Sequence, residues 1–217
     1  MRRRDLLGVM AAAAGARCAA ATEGGVFLFD GDSIAAGSGA TPGGALAEGV
    51  VARLGWRGRV HNTAHWGRPM AECLRLYDRN VAPLAEGEEG PRLLFIQAGD
   101  NDIDQGASGA AAHRALVDYV ARAHAQRWRV IASTKLARPD FPFRKRVELA
   151  DYNRLVLANA AGAEAVVDFA AIPEFARVAN RTNPDIFTAD RVHPSDGGYA
   201  ILARETARAA APLLAGR

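Results

Sequence analysis

A parallel α/β sandwich of three layers is the fold class that this 217-residue sequence predicts. Three observations predict it. Short apolar runs recur along the chain, helical patterns separate them, and no repeat, low-complexity tract or linker divides them. Strands that alternate with helices build a parallel sheet covered on both faces, and right-handed crossovers place helices on either side. With 49% hydrophobic and 24% charged residues, the chain can bury a substantial core.

The elements follow in order. Val26 to Phe29 is an unbroken apolar run and reads as a first buried strand. A helical pattern near Ala45 to Leu54 leads to a weaker second strand, Arg59 to Asn62. Met70 to Tyr77 reads as a helix and Leu93 to Gln97 as a third strand. Ala110 to Gln126 is a long helix before the fourth strand, Arg129 to Ser133. Val147 to Ala160 is helical, Ala165 to Phe169 is a fifth strand, and a last helix runs from about Gly198 to Leu214. The longest irregular stretches, Lys135 to Phe143 and Arg181 to Tyr199, follow strand ends or precede the last helix, where sites in such sheets lie.

The first 21 residues stand apart. Arg2, Arg3 and Arg4 precede an apolar stretch from Leu6 to Ala16, and Ala19 to Ala21 offer small residues for a peptidase. This is the layout of a signal peptide, and Arg3-Arg4-Asp5-Leu6-Leu7 resembles a twin-arginine address. The expectation is a leader over 1–21 and an exported, periplasmic or secreted domain over 22–217. The plain alternatives are a misplaced start codon or a cytoplasmic N-terminal helix. No later segment is long and apolar enough to span a bilayer, so no stable membrane insertion is expected after cleavage. The chain holds 27 Lys and Arg against 24 Asp and Glu, and the leader carries four Arg and one Asp. The remainder is neutral, which removes the argument for a nucleic-acid partner. Cys73 is the one cysteine after the leader, so no internal disulfide forms; a buried small hydrophobe is its expected role. The domain is expected to be a monomer.

Four segments can carry chemistry. Gly31-Asp32-Ser33 follows the first strand, where a turn presents a hydroxyl at the sheet's open edge; alone it could be a helix cap. Asp190-Arg191-Val192-His193 places a carboxylate three residues before a histidine, a compact way to build a base and its orienter. Gly67, after Asn62-Thr63-Ala64-His65-Trp66, can expose its backbone N–H. Gly99-Asp100-Asn101-Asp102 follows the third strand, and Asn101 can aim a side-chain donor at the same point. Taken singly, the last two are ordinary turn sequences.

In order and spacing, these segments resemble the four signature blocks of the SGNH hydrolases, the GDSL-type esterases and lipases. Ile34 stands where leucine is common, and Gly67 has a looser context than usual. The resemblance implies a flavodoxin-like five-stranded sheet and carboxylic ester hydrolysis through an acyl-enzyme. It implies Ser33 as nucleophile, His193 as base and Asp190 as its orienter. Ser33 N–H, Gly67 N–H and the Asn101 side chain would form the oxyanion hole. No metal and no organic cofactor is implied, and the partner is a small-molecule, glycan or lipid ester.

Other residues carry local expectations. His65, Trp66 and Phe187 are candidates to line the substrate pocket, with Phe141, Phe143 and Ile186 behind them. Asp32 and Asp102 are expected to order their own turns, and His113 and His124 to lie exposed on a helix. Two rivals remain. Asp30-Gly31-Asp32 resembles the motif of Mg²⁺-dependent haloacid-dehalogenase-like phosphatases, with Asp30 as nucleophile and Ser133 and Lys135 as later motifs. The acidic segment at Asp100 and Asp102 precedes Ser133, the wrong order for that family, and Asp190 and His193 are left idle. The other rival is a non-catalytic envelope- or carbohydrate-binding protein on the same scaffold; every catalytic position is nonetheless filled.

Overall fold

The computed structural model describes residues 24–215, so the leader over 1–21 lies outside the described residues. Five strands form one parallel sheet: β1 (Val26–Gly31), β2 (Arg59–Asn62), β3 (Arg92–Gln97), β4 (Arg129–Ser133) and β5 (Ala165–Val167). Their order is β2-β1-β3-β4-β5. Among the described residues eight α-helices accompany them: α1 (Leu46–Leu54), α2 (Met70–Arg75), α3 (Tyr77–Asn80), α4 (Asp100–Asp104), α5 (Gly109–Ala125), α6 (Phe143–Leu157), α7 (Pro173–Ala176) and α8 (Asp196–Ala215). Among the described residues no helix is long and apolar enough to cross a membrane.

The apolar runs make strands because both of their faces are buried. On β1, Val26 and Leu28 join the core under α2, α5 and α6, which holds Met70, Leu116 and Leu149. Phe27 and Phe29 join the opposite core under α1 and α8, with Leu46, Val50 and Leu202. There Phe27 stacks on Phe29 at 4.5 Å, and Phe29 and Phe95 lie 5.9 Å apart. Ser108 caps α5 by accepting from Ala111 N–H at 3.1 Å, and Gly55 ends α1 with φ of 60°.

The structure departs from the sequence expectations in five places. The fifth strand stops at Val167, because Asp168 accepts from Ala171 N–H and turns the chain into a 3₁₀ helix, Phe169–Ala171. The helix expected from Val147 begins at Phe143; its first turn is exposed and shows no apolar stripe. The helix expected over Met70 to Tyr77 breaks at Leu76 into α2 and α3. His113 is not exposed: it sits on the inward face of α5, 5% exposed and 6.4 Å from the Tyr152 ring. Burial pushes its pKa down. His124 is half-buried and meets Glu164 at 3.2 Å.

What positions the site is the point where the chain reverses direction across the sheet. From β1 the chain crosses to β2 on one side and then to β3 on the other, which opens a crevice beyond the carboxyl ends of β1 and β3. The two strands end in register, with Gly31 opposite Gln97. Gly31 has φ of 135°, and a Cβ there would lie 2.0 Å from the Gln97 carbonyl oxygen. Gly99 has φ of 132°, and its Cβ would lie 2.5 Å from Tyr152 Cζ. Each turn therefore needs glycine twice over, for its dihedral and for its space. Gly31→Ala is expected to cost about 3 kcal/mol or more, from backbone strain plus collision with β3. Urea denaturation monitored by circular dichroism measures this; a loss under about 1 kcal/mol contradicts it.

Candidate active site

The turn after β1 is fixed from two sides. Asp32 N–H donates to Gln97 O at 3.0 Å, and Asp32 Oδ1 accepts from Ile34 N–H at 3.0 Å. The second bond is the local turn expected of Asp32. Its other oxygen does something unforeseen: it pairs with Lys135 Nζ. Lys135, 1% exposed, follows the end of β4 and also lies 3.0 Å from Asp100 Oδ1. Asn153 holds the Lys135 backbone by accepting from its N–H at 2.8 Å and donating to its carbonyl at 2.9 Å. Arg138 extends the cluster, meeting Asp100 Oδ2 at 3.0 Å and Asp140 Oδ2 at 2.7 Å. Burial pushes the Asp32 carboxyl up to about 7, against the pull of Lys135. Asp100 is also buried, yet Lys135 and Arg138 hold its carboxyl well below the usual range.

Ser33 is thereby presented to the crevice. Its Oγ lies 2.8 Å from His193 Nε2, and His193 Nδ1 lies 2.6 Å from Asp190 Oδ2. An ionised carboxylate only accepts, so Nδ1 carries the ring proton and Nε2 accepts from the Ser33 hydroxyl. Asp190 Oδ1 accepts three more hydrogen bonds: Val192 N–H at 2.8 Å, His193 N–H at 2.9 Å and Thr188 Oγ1 at 2.8 Å. Partial burial raises the Asp190 carboxyl, but these donors and the His193 ring overcome it and hold it well below the usual range. Arg191, with φ of 61°, makes the turn that brings Asp190 and His193 to one side. Arg181 Nη1 donates to Arg191 O at 3.0 Å and its Nη2 to Ala137 O, fastening this loop to the one after β4.

Two other donors converge there. Gly67 has φ of 72° and open space around its α-carbon. Among the described residues neither Ser33 N–H nor Gly67 N–H has an acceptor. Asn101 Nδ2 donates one hydrogen to Arg68 O at 3.1 Å, which fixes the amide and leaves its second hydrogen. Asp102 does not order its own turn, as the sequence suggested. It caps α2 instead, accepting from Met70 N–H at 2.5 Å and Ala71 N–H at 3.0 Å, and so couples the Gly67 segment to the Asn101 segment.

Ser33, Gly67, Asn101, Asp190 and His193 all line one cleft of about 360 Å³. Such an arrangement can deprotonate a hydroxyl and hold an oxyanion. Trp66 also lines it and is 69% exposed. His65 and Phe187 do not. His65 is exposed, its Nδ1 2.9 Å from Trp66 O. Phe187 is 2% exposed, 5.4 Å from Phe175 and beneath the Arg181 guanidinium at 4.2 Å. It packs behind the loop bearing Asp190 and His193 because an aromatic beside Pro194 completes the core there. Phe141 is buried under Arg138, and Phe143 is exposed on α6. Asp104, Gln105, Leu136 and Arg138 line the cleft without having been singled out. A larger hollow of about 540 Å³, lined by Glu88, Arg92 and Leu213, holds no hydroxyl or thiol nucleophile beside a base.

The phosphatase alternative needs Asp30 as a nucleophile, and the structure overturns it. Asp30 is 1% exposed, accepts from Tyr119 Oη at 2.7 Å and Gly31 N–H at 2.9 Å, and meets Arg68 Nη1 at 3.2 Å. Neither Asp30 nor Asp32 lines the cleft. Cys73 is buried, as expected of a small hydrophobe. Replacing Lys135 by Met should leave two buried carboxylates without their shared cation. The expected loss is about 3–5 kcal/mol of stability in urea denaturation, and an unchanged midpoint contradicts the role of the cluster.

The model of the GDSL-like Lipase/Acylhydrolase family matches residues 29–201. No curated protein matches the chain. Among solved structures, a member of the lipolytic G-D-S-L family from Veillonella parvula superposes with a TM-score of 0.70 at 21% identity, covering 86% of this chain and 97% of that one. The lipase/acylhydrolase from Enterococcus faecalis gives 0.64 at 21% identity, with 87% and 96% covered. The esterase EstA from Pseudoalteromonas sp. gives 0.64 at 15% identity, with 88% and 99% covered. The order of strands, the placement of the four segments and the family match lead to one conclusion: the chain belongs to the GDSL-like lipase/acylhydrolase family and is a carboxylic ester hydrolase.

Proposed function

We propose that the chain cleaves esters through an acyl-enzyme on Ser33, with His193 as base and Asp190 as its orienter. The observation that carries this reading is the unbroken hydrogen-bond chain from Ser33 Oγ through the His193 ring to Asp190 Oδ2, with links of 2.8 and 2.6 Å. His193 Nε2 takes the hydroxyl proton as Ser33 Oγ attacks the ester carbonyl. Negative charge collects on the carbonyl oxygen, where Ser33 N–H, Gly67 N–H and the Asn101 amide receive it. The imidazolium, stabilised by Asp190, gives its proton to the leaving alcohol. Water enters, loses a proton to the same nitrogen and releases the acid. Export through the segment over 1–21, with removal of that leader, completes the proposed setting.

Ser33→Ala and His193→Ala are each expected to lower kcat by about 10⁶-fold, and Asp190→Asn by about 10⁴-fold, with unaltered circular dichroism. Asp190 stays ionised far below neutral pH, so it remains a carboxylate facing the His193 ring. Equal, small losses from all three substitutions contradict the triad.

A further inference from the structure

The walls of the cleft differ in chemistry, and the difference bears on which ester fits. Apolar side chains there are few: Ile34 and Leu136 are only 4% and 3% exposed, and Val192 is half-buried. Within the cleft they offer contact for a small acyl group and no trough for a long one; the apolar hollow of Leu149, Phe175 and Val178 is a separate one that shares only Arg138 with it. At roughly 0.8 kcal/mol per buried methylene, a long chain gains affinity only where apolar surface receives it. The rest of the wall is polar or aromatic. Trp66 presents an exposed ring immediately before Gly67. Gln105 is exposed in the same wall. Asp104 has one oxygen on Lys145 Nζ at 2.6 Å, leaving the other as an acceptor. An aromatic ring beside an amide and a carboxylate suits a molecule with C–H faces and many hydroxyls.

Charge narrows the choice further. Among the described residues Arg138 is the one Lys or Arg side chain lining the cleft. Asp100 and Asp140 already occupy its guanidinium, at 3.0 and 2.7 Å. Phosphate-bearing alcohols and carriers therefore meet Asp104 and Asp190 with no unspent cation to receive them.

We infer that the ester fitting this site joins a small acyl group, of acetyl size, to an uncharged polyhydroxylic alcohol of carbohydrate type. The inference rests on Ser33 as acyl acceptor. The bond that breaks joins the acyl carbon to the sugar oxygen; water supplies hydroxide to the acyl group and a proton to the sugar. Trp66 is the specificity residue, stacking on the sugar.

The test compares kcat/KM of the full chain on four esters: p-nitrophenyl acetate, p-nitrophenyl octanoate, an O-acetylated methyl glycoside and acetyl-coenzyme A. The acetate is expected to exceed the octanoate by about 10-fold or more, and the glycoside to exceed the coenzyme A ester by a similar factor. Trp66→Ala should raise KM for the glycoside about 10-fold with kcat little changed, and Trp66→Phe should restore most of it. Preference for octanoate or acetyl-coenzyme A, or a glycoside KM unmoved by Trp66→Ala, overturns the inference while p-nitrophenyl acetate turnover still depends on Ser33. Turnover of p-nitrophenyl acetate that survives Ser33→Ala overturns the acyl-enzyme reading instead.

Discussion

One buried ammonium group holds this site together. Lys135 Nζ lies between Asp32 and Asp100, and those carboxylates adjoin Ser33 and Asn101 in sequence. The cation thus joins the turn after β1 to the turn after β3, across the crevice where the chain reverses direction. Taking such charges out of water costs several kcal/mol per ion, and only mutual pairing offsets it. The cluster is therefore a geometric specification more than a source of stability. Replacing all its members by apolar groups could preserve the fold, whereas removing Lys135 alone leaves charge stranded. Arg138 and Asp140 continue the chain of pairs to the rim of the cleft.

Around this anchor the rest of the site is assembled from backbone. Gly31 and Gly99, both with φ near +130°, let the two turns approach β3 and Tyr152. Asp102 caps α2 and so sets Gly67 beside Asn101. The loop bearing Asp190 and His193 is closed on itself by four hydrogen bonds to the Asp190 side chain and one from Arg181 to Arg191 O. In the proposed reaction, donors and base are held in place before substrate arrives, which is the condition under which fixed dipoles lower a barrier most.

Much of this was legible in the sequence because it is written locally. The unbroken run Val26 to Phe29 and the runs ending at Gln97 and Ser133 became strands almost to the residue, since burial on both faces demands such runs. Ser33, Gly67, Asn101, Asp190 and His193 lie in short motifs, and the structure gathers them into one cleft. The Lys135 cluster was not legible: its three members are 35 or more residues apart, and only tertiary pairing makes the lysine burial tolerable. Phe187 misled for the opposite reason. As an aromatic in an irregular stretch it was a candidate for a pocket wall, but side-chain direction put it in the core. His113 was misplaced because its neighbours Ala110 to Ala112 are too small to mark which face of α5 is inward.

The central claim is that Ser33 Oγ becomes acylated. Acid quenching during turnover of p-nitrophenyl acetate, followed by peptide mass spectrometry, reads this directly. A mass gain of one acetyl group is expected on the peptide containing Ser33, lost when His193 is replaced by Ala. Acetyl recovered on Cys73 or Asp30, or turnover in heavy-oxygen water that labels a protein carboxylate, would contradict it.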